Sequence, residues 1–150
     1  RKIQASARFD QGFKNVEYLA ASLLDLEWHT LTTTAEVDAA ALERIALARM
    51  SNPALVAPRY RTTYFQHIFG PGGGYSAGYY SYKWAEVLDA DAFAAFQEKG
   101  LFDPATARRF RTLLEKGGSE DAMKLYVAFR GREPAVGPLL TRLGFGGAPR

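Results

Sequence analysis

The residues of this 150-residue chain most suited to chemistry lie between His67 and Tyr82, where a histidine, a run of glycines and four tyrosines share sixteen positions. Five glycines fall between Gly70 and Gly78. Glycine loses more backbone entropy on folding than any other residue, so such a run suits a place where backbone approaches a ligand or moves. The tyrosines Tyr75, Tyr79, Tyr80 and Tyr82 bring hydroxyls that donate hydrogen bonds while neutral, because a phenol titrates near pH ~10. On a helix, Tyr75, Tyr79 and Tyr82 share one face and Tyr80 points elsewhere.

A phosphate-binding reading of the glycines fails on composition. The run lacks the Gly-Lys-Ser/Thr ending, and Tyr75 fills space that a phosphate cradle keeps open. His67, taken alone, reads equally as a satisfied polar residue at a strand end. His29, closing an apolar stretch beside Trp28, reads as a helix-end or packing residue, and Trp28 and Trp84 read as core.

Several separated segments together carry a resemblance. Phe9-Asp-Gln-Gly-Phe-Lys-Asn-Val-Glu-Tyr-Leu-Ala, Pro58-Arg-Tyr-Arg-Thr-Thr-Tyr-Phe-Gln-His67, the glycine and tyrosine run, Gly118-Ser-Glu-Asp and Phe129-Arg-Gly-Arg-Glu-Pro134 follow one another in order. From about Ile3 to Leu143 the chain resembles the C-terminal end of the zinc metallopeptidases of the thimet oligopeptidase and oligopeptidase A family, most nearly its bacterial peptidyl-dipeptidase (dipeptidyl carboxypeptidase) branch.

The resemblance implies hydrolysis of short peptides, with C-terminal dipeptides released, and a set of site residues. Tyr75 and Tyr82 match the two tyrosines that face the tetrahedral intermediate, with Tyr82 first for oxyanion stabilisation. His67 matches a histidine lining the cleft near the scissile carbonyl, and Tyr79 a less central position. Gly73 and Gly74 belong to a loop expected to be mobile and to let Tyr75 and His67 close over peptides of varied sequence. Extra residues of Gly-Pro-Gly type between His67 and Tyr75 depart from the family pattern and bear on the reach of Tyr75. Arg59 and Arg61 are candidates for the free carboxylate of a substrate, with an ordinary surface ion pair the alternative.

Zinc is the family's cofactor, and this chain lacks the means to hold it. A His-Glu-x-x-His helix sets two imidazoles one turn apart. Here the only histidines are His29 and His67, 38 residues apart, and neither is followed by glutamate. The resemblance implies that the metal ligands lie in a preceding part of a longer protein, so the expected metal ligands within this chain are none, and residues 1–150 are expected to form one C-terminal subdomain of a larger catalytic domain. The first residue is Arg1 and the methionines are Met50 and Met123, which fits a fragment. The rival reading is a stand-alone helical peptide-binding module without catalytic activity.

Composition supports these expectations. A chain of this length with 47% hydrophobic residues can bury a core. The net charge of +3 leaves no polycationic face for nucleic acid, and Arg108-Arg109-Phe-Arg111 reads as a solvated helix face. No stretch reaches the roughly 18 to 20 apolar residues of a membrane span. The absence of cysteine fits a cytoplasmic bacterial protein. Short peptides and the N-terminal remainder of the same enzyme are the expected partners.

The elements that must position these residues read as mainly α. Apolar spacing predicts a helix over Asn15 to Leu31, and alanine and leucine content a second from Ala39 to Met50 with Thr34 as N-cap. Two prolines and the β-rich Tyr60-Arg-Thr-Thr-Tyr predict an extended segment or small β element over 56–69. Helical periodicity returns from Ala77 to Glu98. Asp103-Pro104 opens a helix that Gly117-Gly118 closes, Ser119 caps the next to Gly131, and Pro134 to Leu143 gives a last one before a fraying tail from Gly144.

Overall fold

The computed structural model describes residues 2–33 and 35–145, and among them every regular element is helical. The α-helices are α1 (Lys2–Arg8), α2 (Gln11–His29), α3 (Ala39–Arg49), α4 (Ser81–Lys99), α5 (Pro104–Lys116), α6 (Ala122–Arg130) and α7 (Gly137–Leu143). Three single turns of 3-10 helix, Thr62–Tyr64, Gln66–Phe69 and Pro71–Gly73, follow α3 and precede α4 along the chain. The mainly helical class read from the sequence therefore holds. The chain divides into two compact units, Arg1–Tyr82 and Lys83–Arg150.

In the first unit, α2 buries a stripe of small and apolar residues, Ala20, Ala21 and Leu24, together with Ser22 and Asp25. Small side chains along that stripe let other segments approach the helix closely. Ala21 packs with Phe65, Ile68 and Tyr79, and Tyr18 and Tyr60 close the cluster at its edge. Removing a large apolar side chain from water contributes about 1.5–3 kcal/mol, and Phe65 and Ile68 are both fully buried. These two residues hold the irregular segment onto α2.

The β element expected over 56–69 does not form. Among the described residues no strand lies beside it, so the backbone groups of this segment find other partners. Arg61 is extended (φ −94°, ψ 153°), but the chain then turns. Buried Glu43 of α3 accepts from Thr62 N at 2.9 Å and from Arg61 Nε at 2.7 Å, and Trp28 Nε1 donates to Thr62 Oγ1 at 3.0 Å. Side chains of α2 and α3 thus nucleate the first 3-10 turn, and the β-branched pair Thr62-Thr63 carries no weight without a sheet to join.

α3 begins at Ala39 because Asp38 caps it, accepting from Ala40 N and Ala41 N at 2.9 and 3.1 Å. The expected cap, Thr34, lies outside the described residues, as does the tail beyond residue 145.

The second unit packs α5 and α6 together, with Ala92, Ala95, Tyr126 and Phe129 at the centre and Leu88, Phe96, Phe110 and Leu113 around them. Asp103 and Pro104 open α5 as expected, the carboxylate accepting from Thr106 N at 2.7 Å. The cap of α6 is Asp121, two residues later than Ser119. α7 starts at Gly137, three residues after Pro134. Trp84, expected in the core, is 43% exposed, whereas Trp28 is half-buried against Thr62 and Phe69.

Buried Asp91 of α4 organises this unit. Tyr126 Oη donates to its Oδ2 at 2.8 Å, Arg132 spans both oxygens, and Arg130 Nε donates to its backbone carbonyl at 3.1 Å. Gly131 ends α6 in the left-handed region (φ 83°), and that reversal allows arginines on both sides of it to reach one aspartate.

Candidate active site

Residues 65–80 form a loop that lies against the C-terminal half of α2 and leads into α4, whose second residue is Tyr82. Its first flank is the turn Gln66–Phe69, where Ile68 points into the core and His67 stays exposed. A histidine at a strand end was expected; it sits in a 3-10 turn instead. The carbonyl of His67 accepts from Tyr75 N at 3.2 Å, closing the glycine stretch into a compact turn. Ser76 N donates to Gly73 O at 2.9 Å, and Ser76 Oγ bonds Ile68 O at 2.9 Å and also Gly73 O.

The second flank is set from below. Asp25 is fully buried on α2; its Oδ1 accepts from Ala77 N at 3.0 Å and its Oδ2 from Tyr79 N at 2.9 Å. Ala77 adopts a left-handed conformation (φ 54°), so the helix expected from Ala77 starts only at Ser81. Tyr75, Tyr79 and Tyr82 consequently do not share a helix face.

They meet by another route. The His67 ring contacts Tyr75 edge-on at 6.2 Å and lies 6.1 Å from Tyr79, and Tyr79 contacts Tyr82 edge-on at 5.8 Å. Edge-to-face geometry is the arrangement aromatic quadrupoles favour. Tyr79, 6% exposed, is the hub: Tyr18 stacks on it at 4.9 Å, Phe65 and Tyr60 meet it edge-on, and Tyr18 Oη donates to its carbonyl at 2.8 Å. Burial pushes the Tyr79 phenol above its ordinary value, while the Arg59 guanidinium beside it pulls the other way. Tyr75 and Tyr82 stand out from this hub, 69% and 61% exposed. The structure thus brings His67, Tyr75, Tyr79, Tyr82 and Arg59 into one patch.

Arg61 stands apart. Its Nε is held by Glu43, whose side chain is almost fully buried. Burial alone would raise the Glu43 carboxyl, but hydrogen bonds from Thr62 and Arg61 outweigh it and hold the group below its ordinary value. Arg61 therefore has a structural task already. Gly73 and Gly74 both have positive φ, 87° and 43°, and a Cβ on Gly74 would meet the His67 carbonyl oxygen at 2.9 Å.

A zinc ion finds no home among the described residues. No group of three or more His, Cys, Asp or Glu is arranged to hold a metal, and the His29 Nδ1 lies 2.8 Å from both Asp25 O and Asp25 Oδ1.

The model of peptidase family M3 matches residues 1–145. The chain belongs to peptidase family M3. It is 42% identical over 147 residues to a dipeptidyl carboxypeptidase of Salmonella typhimurium, covering 95% of this chain and 21% of that protein. It is 43% identical over 155 residues to a probable cytosolic oligopeptidase A of Arabidopsis thaliana, covering 96% of this chain and 21% of the relative. Oligopeptidase A of Escherichia coli is 51% identical over 84 residues, 55% of this chain and 12% of that protein. The chain thus spans about a fifth of the length of the relatives that match it throughout.

Within this M3 chain, the residues that support the patch went unnoticed in the sequence. Asp25 interrupts the apolar run Leu23-Leu24-Asp25-Leu26, and an acid on the buried stripe of a helix was the available signal. Tyr18, Tyr60 and Phe65 carried no such mark, because aromatic residues at helical or irregular spacing read as core.

Proposed function

We propose that this chain is the C-terminal, peptide-contacting part of a zinc metallopeptidase that hydrolyses short peptides and releases C-terminal dipeptides. One observation carries the reading: two exposed tyrosines, Tyr75 and Tyr82, flank a buried tyrosine and a histidine on a loop that its own hydrogen bonds and Asp25 fix in place. The metal ligands and the catalytic glutamate are assigned to the remainder of the longer protein, since the side chains here do not fit zinc. The compartment assigned is the cytoplasm, in keeping with the absence of cysteine.

Attack of water on a peptide carbonyl places negative charge on its oxygen. A neutral donor fixed beside that oxygen interacts more strongly with the charged transition state than with the uncharged substrate. The Tyr82 hydroxyl takes this role first and Tyr75 assists. His67 positions the substrate backbone near the scissile bond, Tyr79 supports both from beneath, and the backbone of Gly73 and Gly74 leaves room for peptides of varied sequence. Arg59, beside the tyrosines, is the candidate for the terminal carboxylate of the substrate; Arg61 serves that end only through the nitrogens Glu43 does not engage.

Replacing Tyr82 by phenylalanine in the full-length enzyme tests this directly. Loss of one oxyanion donor lowers kcat by about 100- to 1000-fold, with KM nearly unchanged. His67→Ala is expected to act more mildly and to raise KM as well. A folded Tyr82→Phe enzyme with normal kcat removes Tyr82 from the mechanism, and products other than dipeptides from N-blocked peptides overturn the dipeptidyl assignment.

A further inference from the structure

The tyrosine patch depends on a residue that touches none of the proposed substrate-binding atoms. Asp25 lies on α2, 52 and 54 positions before the two amides it binds, and is 0% exposed. Each of its two carboxylate oxygens receives a backbone N–H of the loop, Ala77 at one and Tyr79 at the other. These two bonds bracket the position where the chain turns left-handed at Ala77, a conformation unfavourable for a residue with a Cβ. Tyr75 stands two residues before that turn, and the α4 helix carrying Tyr82 starts four residues after it.

His29 completes the arrangement. One helical turn beyond Asp25, its Nδ1 approaches both Asp25 Oδ1 and Asp25 O at 2.8 Å, and its ring rests on Phe69 of the opposite flank at 5.6 Å. Trp28 meets the same Phe69 edge-on at 5.6 Å. The last turn of α2 therefore grips both flanks of the loop. Hydrogen bonds to a buried carboxylate are strong and directional, which suits them to fixing a backbone bend.

We infer that Asp25, held by His29, is a positioning residue: by fixing Ala77 and Tyr79 it sets where the Tyr75 and Tyr82 hydroxyls stand, and so governs turnover without touching substrate. This rests on the oxyanion role given above to Tyr82. An isosteric amide is the sharpest probe, because Asn offers one acceptor and turns an N–H donor toward the second loop amide, leaving that amide without a partner.

In the full-length enzyme, Asp25→Asn is expected to lower kcat by about 100-fold with KM nearly unchanged, the scale of a displacement near 1 Å at a catalytic group. Three further readouts separate positioning from mere support of the fold. Adding Ala77→Gly, which adopts φ 54° without strain, should restore part of the lost kcat. Combining Asp25→Asn with Tyr82→Phe should cost clearly less than the product of the two single losses, because only the assisting Tyr75 is left for the anchor to aim. Amide exchange at Ala77 and Tyr79 should accelerate while the middle of α2 stays protected.

Multiplicative losses in the double variant, no rescue by Ala77→Gly, or unchanged exchange at both amides overturns the inference. If Tyr82→Phe alone proves neutral, the oxyanion reading fails, and the exchange and rescue measurements still decide the role of Asp25. Should Asp25→Asn not fold, His29→Gln takes its place, with kcat expected to fall about tenfold at constant KM; an unchanged kcat there counts against the inference.

Discussion

Gly74 shows how narrowly a single residue is constrained in this loop. A methyl group there would lie 2.9 Å from the His67 carbonyl oxygen, 3.2 Å from Gly70 N and 3.3 Å from Gly70 Cα, all backbone atoms without freedom to yield. Gly73, with nothing within 4 Å of its virtual Cβ, meets only the penalty of its positive φ. Gly73→Ala is therefore expected to cost about 1 kcal/mol and Gly74→Ala about 2–3 kcal/mol, and only the second should displace the His67 carbonyl that receives Tyr75 N. Thermal unfolding with kinetics of the two single variants checks this; equal losses of stability would show that the close approach to His67 relaxes at no cost. In the sequence the glycines read as freedom to move. For Gly74 the geometry supplies a steric reason that composition does not carry.

At the scale of elements, the arginines of Phe129-Arg-Gly-Arg-Glu-Pro134 serve α4. Burial by itself would raise the Asp91 carboxyl, but bonds from Arg132 and Tyr126 outweigh it and hold the group below its ordinary value. The native state thus binds that proton less readily than the unfolded chain does. The resulting stabilisation is complete above the ordinary aspartate value, near pH ~4, and disappears as the pH falls through the lowered one. Arg132→Ala leaves a buried charge short of its bidentate partner and is expected to destabilise by about 3 kcal/mol at pH 7, with a smaller difference from the parent below that range. Unfolding followed by circular dichroism at pH 7 and pH 3 reads both; a difference that is the same at the two pH values would mean the pair contributes no linkage. Element boundaries were legible at Asp103-Pro104 and Gly117; they were misplaced at α6, where Ser119 and Asp121 are both capping types, and where a distant side chain intervenes. Glu43 bends Thr62 into a turn, and Asp25 delays α4 until Ser81; neither effect has a signal at the residues it moves. At the candidate site, residue type pointed to His67, Tyr75, Tyr79 and Tyr82, and their rings do lie together. The scaffold of that site was not legible, because a helix face, a 3-10 turn and a left-handed alanine produce the gathering.

On the scale of the whole molecule, the chain presents a built aromatic patch, and among the described residues no three or more His, Cys, Asp or Glu side chains are grouped as metal ligands. Polar groups inside it are satisfied: among the described residues no buried side-chain nitrogen or oxygen lacks a hydrogen-bond partner. Large apolar side chains nonetheless stand in solvent, among them Leu55 at 98%, Phe102 at 95% and Ile3 at 86% exposure. Its M3 relatives are about five times longer, and the proposed zinc chemistry is assigned to that further sequence. Residues 1–150 alone are therefore expected to retain no stoichiometric zinc after dialysis and to cleave no peptide, because two histidines, one of them against Asp25, fall short of the three protein ligands a catalytic zinc takes. Metal analysis and a peptidase assay on the purified segment decide this. One tightly held zinc per chain together with dipeptide release would overturn the division of labour.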